Sequence, residues 1–498
     1  MSAKTLTLHP ADNVAIALTK LSAGDGIARG DVPRSHKVAL ADIPQGAPVL
    51  RYGQVIGQAT RDIARGNHVH DHNMDMSAHD VDYAFATAVD ALPPVTDPRT
   101  FDGYHREHGK VGTRNYIGVL TTVNCSGSVA RFIAEEAEKT GLLDAFPNVD
   151  GIVPIVHSSG CGMSNRGDGY DILLRTLGGY AAHPNFGGIL MVGLGCEVLQ
   201  LADLVKGRKI TSDGALRYMT IQQTGGTKRT IDQGLEHVAS LAEFANQATR
   251  KPAPISELTL GMQCGGSDGY SGFTANPALG VASDMLVQHG ATSILSETSE
   301  IYGAEHLLTR RARTPEIGQA LVDKLSWWEN YCALHGSKMD NNPSPGNKRG
   351  GLTTILEKSL GAVSKSGQAP LSGVFEYGAP LTSKGLVFMD SPGYDPCSVT
   401  GQVASGATLI AFTTGRGSVS GYKPSPCMKL SSNSDLFDRM GDDVDVNCGD
   451  IVDGVSLAEK GAEIFETLIA MASGQPSKSE AQGFGGVEFV PWQIGAVL

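Results

Sequence analysis

The sequence predicts an α/β protein: a small N-terminal β module followed by two Rossmann-like layered α/β domains. Three observations carry that reading. The 498 residues suffice for roughly three domains at ~150 residues each. From about residue 101, apolar strand candidates alternate with amphipathic helices, the rhythm of largely parallel sheets. The 62 glycines exceed the usual share of ~7% and gather in the turns that follow those strands. The expected divisions are a β domain over 1–75, a linker over 76–100, and α/β domains over 101–252 and 253–498.

In the first segment, Asn13–Leu18, His36–Ala41 and Gly53–Ala59 are short apolar runs separated by glycine turns. An internal echo, Asp42-Ile43-x-x-Gly46-x-x-Val49 and Asp62-Ile63-x-x-Gly66-x-x-Val69, predicts two turns, each flanked by buried aliphatics. The module ends in His68-Val69-His70-Asp71-His72-Asn73. In the second domain, Tyr116–Val123 reads as a strand, followed by a helix with Val129, Phe132, Ile133 and Ala137 on one stripe. Gly151–Val156, Gly188–Leu194 and Arg217–Ile221 are further strands before a helix around Ile231–Thr249, and Lys251-Pro252-Ala253-Pro254 marks a boundary. The pattern then restarts with the strand Leu258–Met262, a helix over Ala278–His289 and the strand Thr292–Ser296. Leu386–Met389 and Thr408–Phe412 extend a second sheet.

Charge and cysteine content exclude several classes. With 40 basic and 52 acidic residues the net charge is −12, which argues against a nucleic-acid or polybasic membrane binder. A few local cations can still hold a small anionic substrate. No apolar run approaches the ~18–20 residues of a membrane helix, and Met1–Ala11 lacks the apolar core of a secretory signal, so a cytoplasmic location is expected. Eight cysteines without a C-x-x-C make neither a disulfide scaffold nor a zinc ribbon. For assembly the general prior applies, under which a homodimer is the commonest soluble form.

The chemistry gathers where strands end. Cys125, Cys161, Cys196 and Cys264 each follow an apolar strand in a Gly/Ser-rich turn, the position at which open α/β sheets bind ligands. Either each thiol fills core space, or the set holds iron, as Fe²⁺ or as a cluster on three thiolates with one open iron site. Gly193-Leu194-Gly195-Cys196-Glu197-Val198 lacks the third glycine of a dinucleotide fingerprint, which argues against a nicotinamide cofactor. Two loops look built for anions: Asn342-Pro343-Ser344-Pro345-Gly346-Asn347-Lys348-Arg349, and Thr413-Thr414-Gly415-Arg416-Gly417, where Arg416 can grip a carboxylate with two hydrogen bonds. Strand alternation would place His68, His70 and His72 on one face, as acid/base groups, as metal ligands or as a plain exposed edge. His157 and Glu197 are general acid/base candidates, and Glu297 and Glu300 are further carboxylates after a strand.

Taken in order, these motifs, with Gly103-Tyr104-His105-Arg106, Gly112-Thr113-Arg114-Asn115, Cys264-Gly265-Gly266-Ser267-Asp268 and Thr274-Ala275-Asn276-Pro277, resemble the altronate dehydratase/galactarate dehydratase family over nearly the whole chain. The resemblance implies an N-terminal SAF (antifreeze-like, β-clip) domain and an iron-dependent hydro-lyase acting on a sugar acid, with Mn²⁺ or another divalent metal as the alternative. An altronate-type enzyme gives 2-dehydro-3-deoxy-D-gluconate by α-proton abstraction and loss of the 3-hydroxyl; a galactarate-type enzyme gives 5-dehydro-4-deoxy-D-glucarate. Glu300-Ile301-Tyr302-Gly303-Ala304-Glu305 is similar to the altronate branch, while Ser159 and Ser418-Val419-Ser420-Gly421 depart from the family pattern. Under this reading His157, Glu197, His70, His72 and Lys348 are catalytic candidates. Ser267, Asp268, Asn276, Asn347, Lys348 and Arg416 meet the substrate, and Cys125, Cys161, Cys196 and Cys264 hold metal. Galactarate dehydration, sulfolactate cleavage and plain sugar-acid binding are the alternatives, in that order.

Overall fold

A computed structural model of the chain describes residues 4–76, 82–205 and 215–495. The N-terminal module consists of two small antiparallel sheets. Thr5–Leu6, Val14–Ala17, Lys37–Ala39 and His68–Val69 form one, and Pro48–Arg51, Gln54–Ala59 and Met74–Asp75 the other. The internal echo has a structural counterpart. Ile43 and Ile63 exchange backbone hydrogen bonds of 2.8 and 2.9 Å. Asp62 Oδ1 accepts from the Gln45 N–H at 2.8 Å and Asp42 Oδ1 from the Arg65 N–H at 2.7 Å, so each copy caps the turn of the other. At Gly66, with φ +87°, a Cβ would stand 2.0 Å from the Ile27 carbonyl oxygen, so no side chain fits there.

Of the expected linker, residues 77–81 lie outside the described residues. From 82 to 99 it contains neither helix nor strand and lies along the C-terminal part of the chain: the Ala86 and Ala88 N–H groups donate to Thr309 and Arg310 carbonyls at 3.0 and 2.8 Å. Thr100–His105, Val111–Gly112 and Lys251–Pro254 then form a small antiparallel sheet. The proline-rich run read as punctuation is thus an edge strand, a place where a sheet tolerates residues such as Pro252 and Pro254. It sets the entry and exit of the first α/β unit side by side.

That unit has a four-stranded parallel sheet in the order Gly151–Ile155, Tyr116–Thr121, Phe186–Gly193, Leu216–Thr220. Helices Gly127–Lys139 and Thr227–Ala245 cover one face, with Val129, Ile133 and Leu241 packed against Ile117 and Leu190. Phe132 is 48% exposed rather than on the buried stripe. The helix buries Ala130 and Ala134 instead, and at ~100° per residue Phe132 lies about 130° from the centre of that face. On the other face, helix Asp168–Ala181 packs against Asp395–Ala404, so Ile172, Leu177 and Tyr180 share a core with Val399 and Val403 from the next unit.

The C-terminal sheet has seven strands, all parallel, in the order Leu371–Phe375, Gly385–Met389, Thr292–Leu295, Thr259–Cys264, Leu409–Thr414, Cys427–Ser431, Val446–Asn447. Helices Ala275–Gln288 and Leu457–Ala472 pack together beside it. The chain leaves Thr259–Cys264 toward one edge and returns on its other side at Leu409–Thr414. Between the carboxyl ends of these two strands lies the topological switch point, where open parallel sheets bind ligands. No helix among the described residues is long and apolar enough to cross a membrane.

Candidate active site

The loop Cys264–Asp268 leaves one strand of the switch point and Thr414–Arg416 leaves the other. A Cβ on Gly265 would stand 2.5 Å from Asp395 Oδ2, so glycine there lets that carboxylate reach the strand end. Three residues expected to meet substrate hold these loops in place. Asp268 accepts from the Tyr270 and Ser271 N–H groups, the Ser271 and Ser432 hydroxyls and the Asn433 amide, at 2.7–3.0 Å. Asn347 donates to the Ser267 carbonyl at 2.9 Å while its Oδ1 accepts from Ser344 in the capping box of helix Pro345–Arg349. Asn276 donates to the Gly361 carbonyl at 2.8 Å and accepts from the Thr413 hydroxyl at 2.6 Å. Ser267, also buried, keeps a hydroxyl with no hydrogen-bond partner among the described residues.

Beside these loops is a cavity of about 410 Å³ lined by Cys264, Glu300, Asn342, Lys358, Tyr394 and Asp395. The Lys358 ammonium donates to Glu300 Oε1 at 2.6 Å and to Asn342 Oδ1 at 2.9 Å, and Asn342 donates to the same Glu300 oxygen at 2.7 Å. Burial pulls the lysine pKa down, but the Glu300 and Cys264 charges and the Glu300 hydrogen bond outweigh it, so Lys358 is held above the ordinary lysine value. Lys365 sits 2.8 Å from the Cys264 sulfur and 3.9 Å from Glu297. Burial pushes the Cys264 thiol up to about 11. Glu297, at φ +71° and with neither carboxylate oxygen accepting a hydrogen bond among the described residues, is raised well above the carboxylate range by burial and by Glu300 and Asp395. Burial and the Glu300 charge raise Asp395 to about 6.

A second, wider cleft of about 930 Å³ adjoins this cavity across Asn341 and is lined by His36, His70, Lys348, Arg349 and Arg416. It exists because the N-terminal module docks on the C-terminal sheet through a buried ion cluster. Glu357 accepts from Lys37 at 2.8 and 2.9 Å, from Arg51 at 2.6 Å, and from the Thr353 N–H and hydroxyl at 2.9 and 2.7 Å. At the rim of that interface His36 Nδ1 lies 3.0 Å from His68 Nε2, and His36 and His70 ring centroids are 4.6 Å apart. Burial, reinforced by neighbouring positive groups, lowers His68 to about 3 and His70 to about 4; burial also lowers His36, so all three are neutral at neutral pH. His70 Nδ1 is buried without a partner among the described residues. His72 is exposed, its ring 5.2 Å from His68. The alternation expected over His68, His70 and His72 fails because the strand stops at Val69 and a turn bonds His70 to Asn73.

Comparison with known proteins covers the chain from end to end. Residues 3–77 match the altronate/galactarate dehydratase SAF domain, 103–246 the second domain of D-galactarate dehydratase/altronate hydrolase, and 255–497 the C-terminal domain of D-galactarate/altronate dehydratase. Altronate dehydratase of Bacillus subtilis (strain 168) is 34% identical over 490 residues, covering 96% of this chain and 97% of that one. The chain belongs to the altronate and galactarate dehydratase family. Altronate dehydratase of Escherichia coli (strain K12) is 35% identical over 96% of this chain and 97% of its own length. Galactarate dehydratase (L-threo-forming) of the same organism is 38% identical over 94% and 93%. Both names denote hydro-lyases, and this chain is an enzyme of that class.

The second domain of this dehydratase-family chain carries the remaining sequence candidates. His157 is buried with both ring nitrogens committed to backbone: Nδ1 accepts from the Ser159 N–H at 3.2 Å, and Nε2 faces the Thr121 carbonyl at 3.1 Å. Burial lowers it to about 4. Glu197 accepts from the Thr122 hydroxyl at 2.5 Å and the Gly195 N–H at 2.6 Å; burial opposes its charge, but these hydrogen bonds outweigh it and lower its pKa. Cys125, Cys161 and Cys196 are exposed in this domain and Cys264 is buried in the next. No three of these four sulfurs lie within 4.8 Å of one another.

Among the described residues, two other sets of metal-capable groups do converge that closely: His36, His68 and His70, and Cys264, Glu297 and Glu300. In the second set two lysine ammoniums already supply the positive charge. In the first, three neutral nitrogens with one orphaned Nδ1 suit an imidazole-preferring divalent metal. Lys358, Lys365, Asp395 and His36 were not singled out from sequence. A signal for the first was present: Glu357-Lys358-Ser359 interrupts a helical run from Ile355 to Val363 that is otherwise apolar, and charges so placed are buried only with partners.

Proposed function

We propose that this family member dehydrates a sugar acid, D-altronate to 2-dehydro-3-deoxy-D-gluconate and water, in the cleft between the SAF module and the switch point of the C-terminal sheet. One observation supports this most: Lys348 and Arg416 line a cleft that shares Asn341 with the cavity of Lys358 and Asp395, which sets two cations in the cleft next to a cavity holding a carboxylate raised to about 6. Arg416 and Lys348 hold the substrate carboxylate. Asp395 takes the proton from C2, and the charge that develops on the carboxylate side is stabilised by Lys358, held cationic by Glu300. The C3–O bond breaks, and the proton gained by Asp395 balances the departing hydroxide as water. The enol then ketonises. A divalent metal, Fe²⁺ first and Mn²⁺ second, would be held by His36, His68 and His70 and would supply Lewis-acid polarisation of a substrate oxygen.

Altronate is placed first because Glu300–Glu305 resembles that branch, and Glu300 lines the cavity. Galactarate is the second reading, favoured by the 38% identity to the relative named for it. The deciding experiment supplies Fe²⁺ anaerobically and measures 2-keto acid from a panel of aldonates and aldarates, with sulfite release from sulfolactate as a third arm. Keto acid from none of them sinks the dehydratase reading.

Two variants refine it. Arg416→Lys keeps the charge but loses the two-pronged grip, and is expected to raise KM about tenfold with kcat little changed. His70→Ala removes one of three imidazoles and should lower the iron retained after gel filtration by roughly 10–100-fold in affinity; unchanged iron content would move the metal elsewhere.

A further inference from the structure

The C-terminal sheet borders a further cavity, of about 440 Å³, that the proposed reaction does not use. It lies at the amino ends of the strands, across the sheet from the switch point: Thr259 and Thr292 open two strands there, and Lys384 and Thr408 immediately precede two more. The opposite wall comes from the second domain, through Lys110 and Val111 of its antiparallel hairpin and through Pro184. Parallel pairing sets Thr259 beside Thr292, so their side chains share one face of the sheet. The hydroxyls of Thr259, Thr292 and Thr382 make no hydrogen bond among the described residues, and the Ser383 oxygen is buried without a partner there.

Charge around this cavity is unbalanced. Lys384 donates to the Ser256 carbonyl at 2.7 Å and stands 3.5 Å from Glu257, the one carboxylate in the lining among the described residues. Lys110 is exposed as a residue, and its ammonium makes neither hydrogen bond nor ion pair among the described residues. Desolvation lowers its pKa, and no carboxylate offsets the shift. Behind Pro184, the Arg106 guanidinium donates to three neutral oxygens, the Pro184 carbonyl at 2.7 Å, Asn115 Oδ1 at 3.0 Å and the Arg114 carbonyl at 3.0 Å. Burial lowers Arg106 to about 10, an effect that Tyr104 and Asp150 offset only in part. Asp150 is itself engaged by the Asn115 N–H at 2.6 Å. In a chain of net charge −12, positive groups thus outnumber negative ones at this cavity. Cations withdrawn from water favour a counter-charge, which a bound anion supplies.

We propose that this cavity is a binding site for a phosphate-class oxyanion, held by Lys110 and Lys384 and by the hydroxyls of Thr292 and Ser383. The donor set favours phosphate over carboxylate. Two ammonium groups and several free hydroxyls exceed what two carboxylate oxygens accept, whereas a phosphate ester presents three strong acceptor oxygens and close to two charges. The volume is that of a small-molecule site, which leaves room for an organic group on the phosphate. Because Lys110 belongs to the second domain and Lys384 to the C-terminal one, the occupant ties the two domains together.

The test is calorimetric titration of the full chain, at constant ionic strength, with inorganic phosphate and separately with glucose 6-phosphate. The expected result is saturable binding that Lys110→Met weakens about 10–100-fold, the effect of losing one charge-assisted hydrogen bond. Thr292→Val should weaken it less. Lys348→Met, which removes a cation from the substrate cleft, should leave it unchanged. Tighter binding of the ester assigns an organic phosphate, and equal binding assigns the free ion. Lysine acetylation of the unaltered protein gives a readout independent of variant folding: phosphate should protect Lys110. Absence of saturable binding of either probe overturns the proposal, as does binding that survives Lys110→Met intact. Loss of binding in Lys348→Met also overturns it, by moving the anion to the substrate cleft. None of these measurements uses keto-acid formation, so this inference and the dehydratase reading fail separately.

Discussion

Asp395→Asn is expected to lower kcat by roughly 10²–10⁴-fold, the usual contribution of a positioned acid/base group. The substitution is isosteric, and the pocket that holds the side chain, opened by Gly265 against the strand end, is unchanged by it. What it removes is an ionisable group raised to about 6 by burial and by the Glu300 charge. A base acts in its deprotonated form, so wild-type kcat should rise with pH through about 6 and level above it. In Asp395→Asn the residual rate should lack that limb. A variant that retains the limb at near-wild-type rate would assign proton transfer to another group and leave Asp395 as a partner of the Glu300–Lys358 pair. The measurement is kcat against pH at saturating substrate, with unfolding midpoints showing that both proteins are folded over the range.

The elements that carry Lys348 and Arg416 were legible because their signals are local. Thr408–Phe412 is an apolar run ending in a Thr-Gly-Arg turn, and the structure puts a strand at Leu409–Thr414 with Arg416 just beyond it. The strand Cys427–Ser431 was missed for the opposite reason: its centre is Lys429, wholly buried, and no alternation pattern predicts a lysine inside a sheet. His36 escaped because its partners are fixed by register rather than by nearby sequence. Antiparallel pairing sets Lys37 against Val69 and Val38 against His68, which carries His36 to His70 across more than thirty residues. The substrate candidates divided along the same line. Motif order picked out Asp268, Asn276 and Asn347, but a motif does not distinguish a group that meets substrate from one that shapes the loop beneath it. Five hydrogen bonds to Asp268 make that distinction.

The second large effect concerns how the cleft is assembled. Glu357→Gln should destabilise docking of the SAF module by about 3–5 kcal/mol, because it leaves Lys37 and Arg51, both wholly buried, facing each other without a counter-charge. Burial opposes the Glu357 charge, but Lys37 and Arg51 outweigh it and lower its pKa to about 2 from an ordinary 4.5. The folded-state pKa is thus depressed. The stability it confers is complete above the unfolded value near 4.5 and is lost as pH falls toward 2. Wild-type docking should therefore weaken on acidification through that window, and Glu357→Gln should show a lower plateau with a flatter acid limb. Hydrogen exchange over Lys37–Ala39 and Gln54–Ala59 reports the docking directly. A triple variant, Lys37→Met, Arg51→Leu and Glu357→Leu, separates charge from packing, since removing the whole cluster costs far less than removing one member. If Glu357→Gln exchanges like wild type, the ion cluster does not hold the module. If it undocks, His36 and His70 leave Lys348 and Arg416, and iron retention and keto-acid formation should fall together.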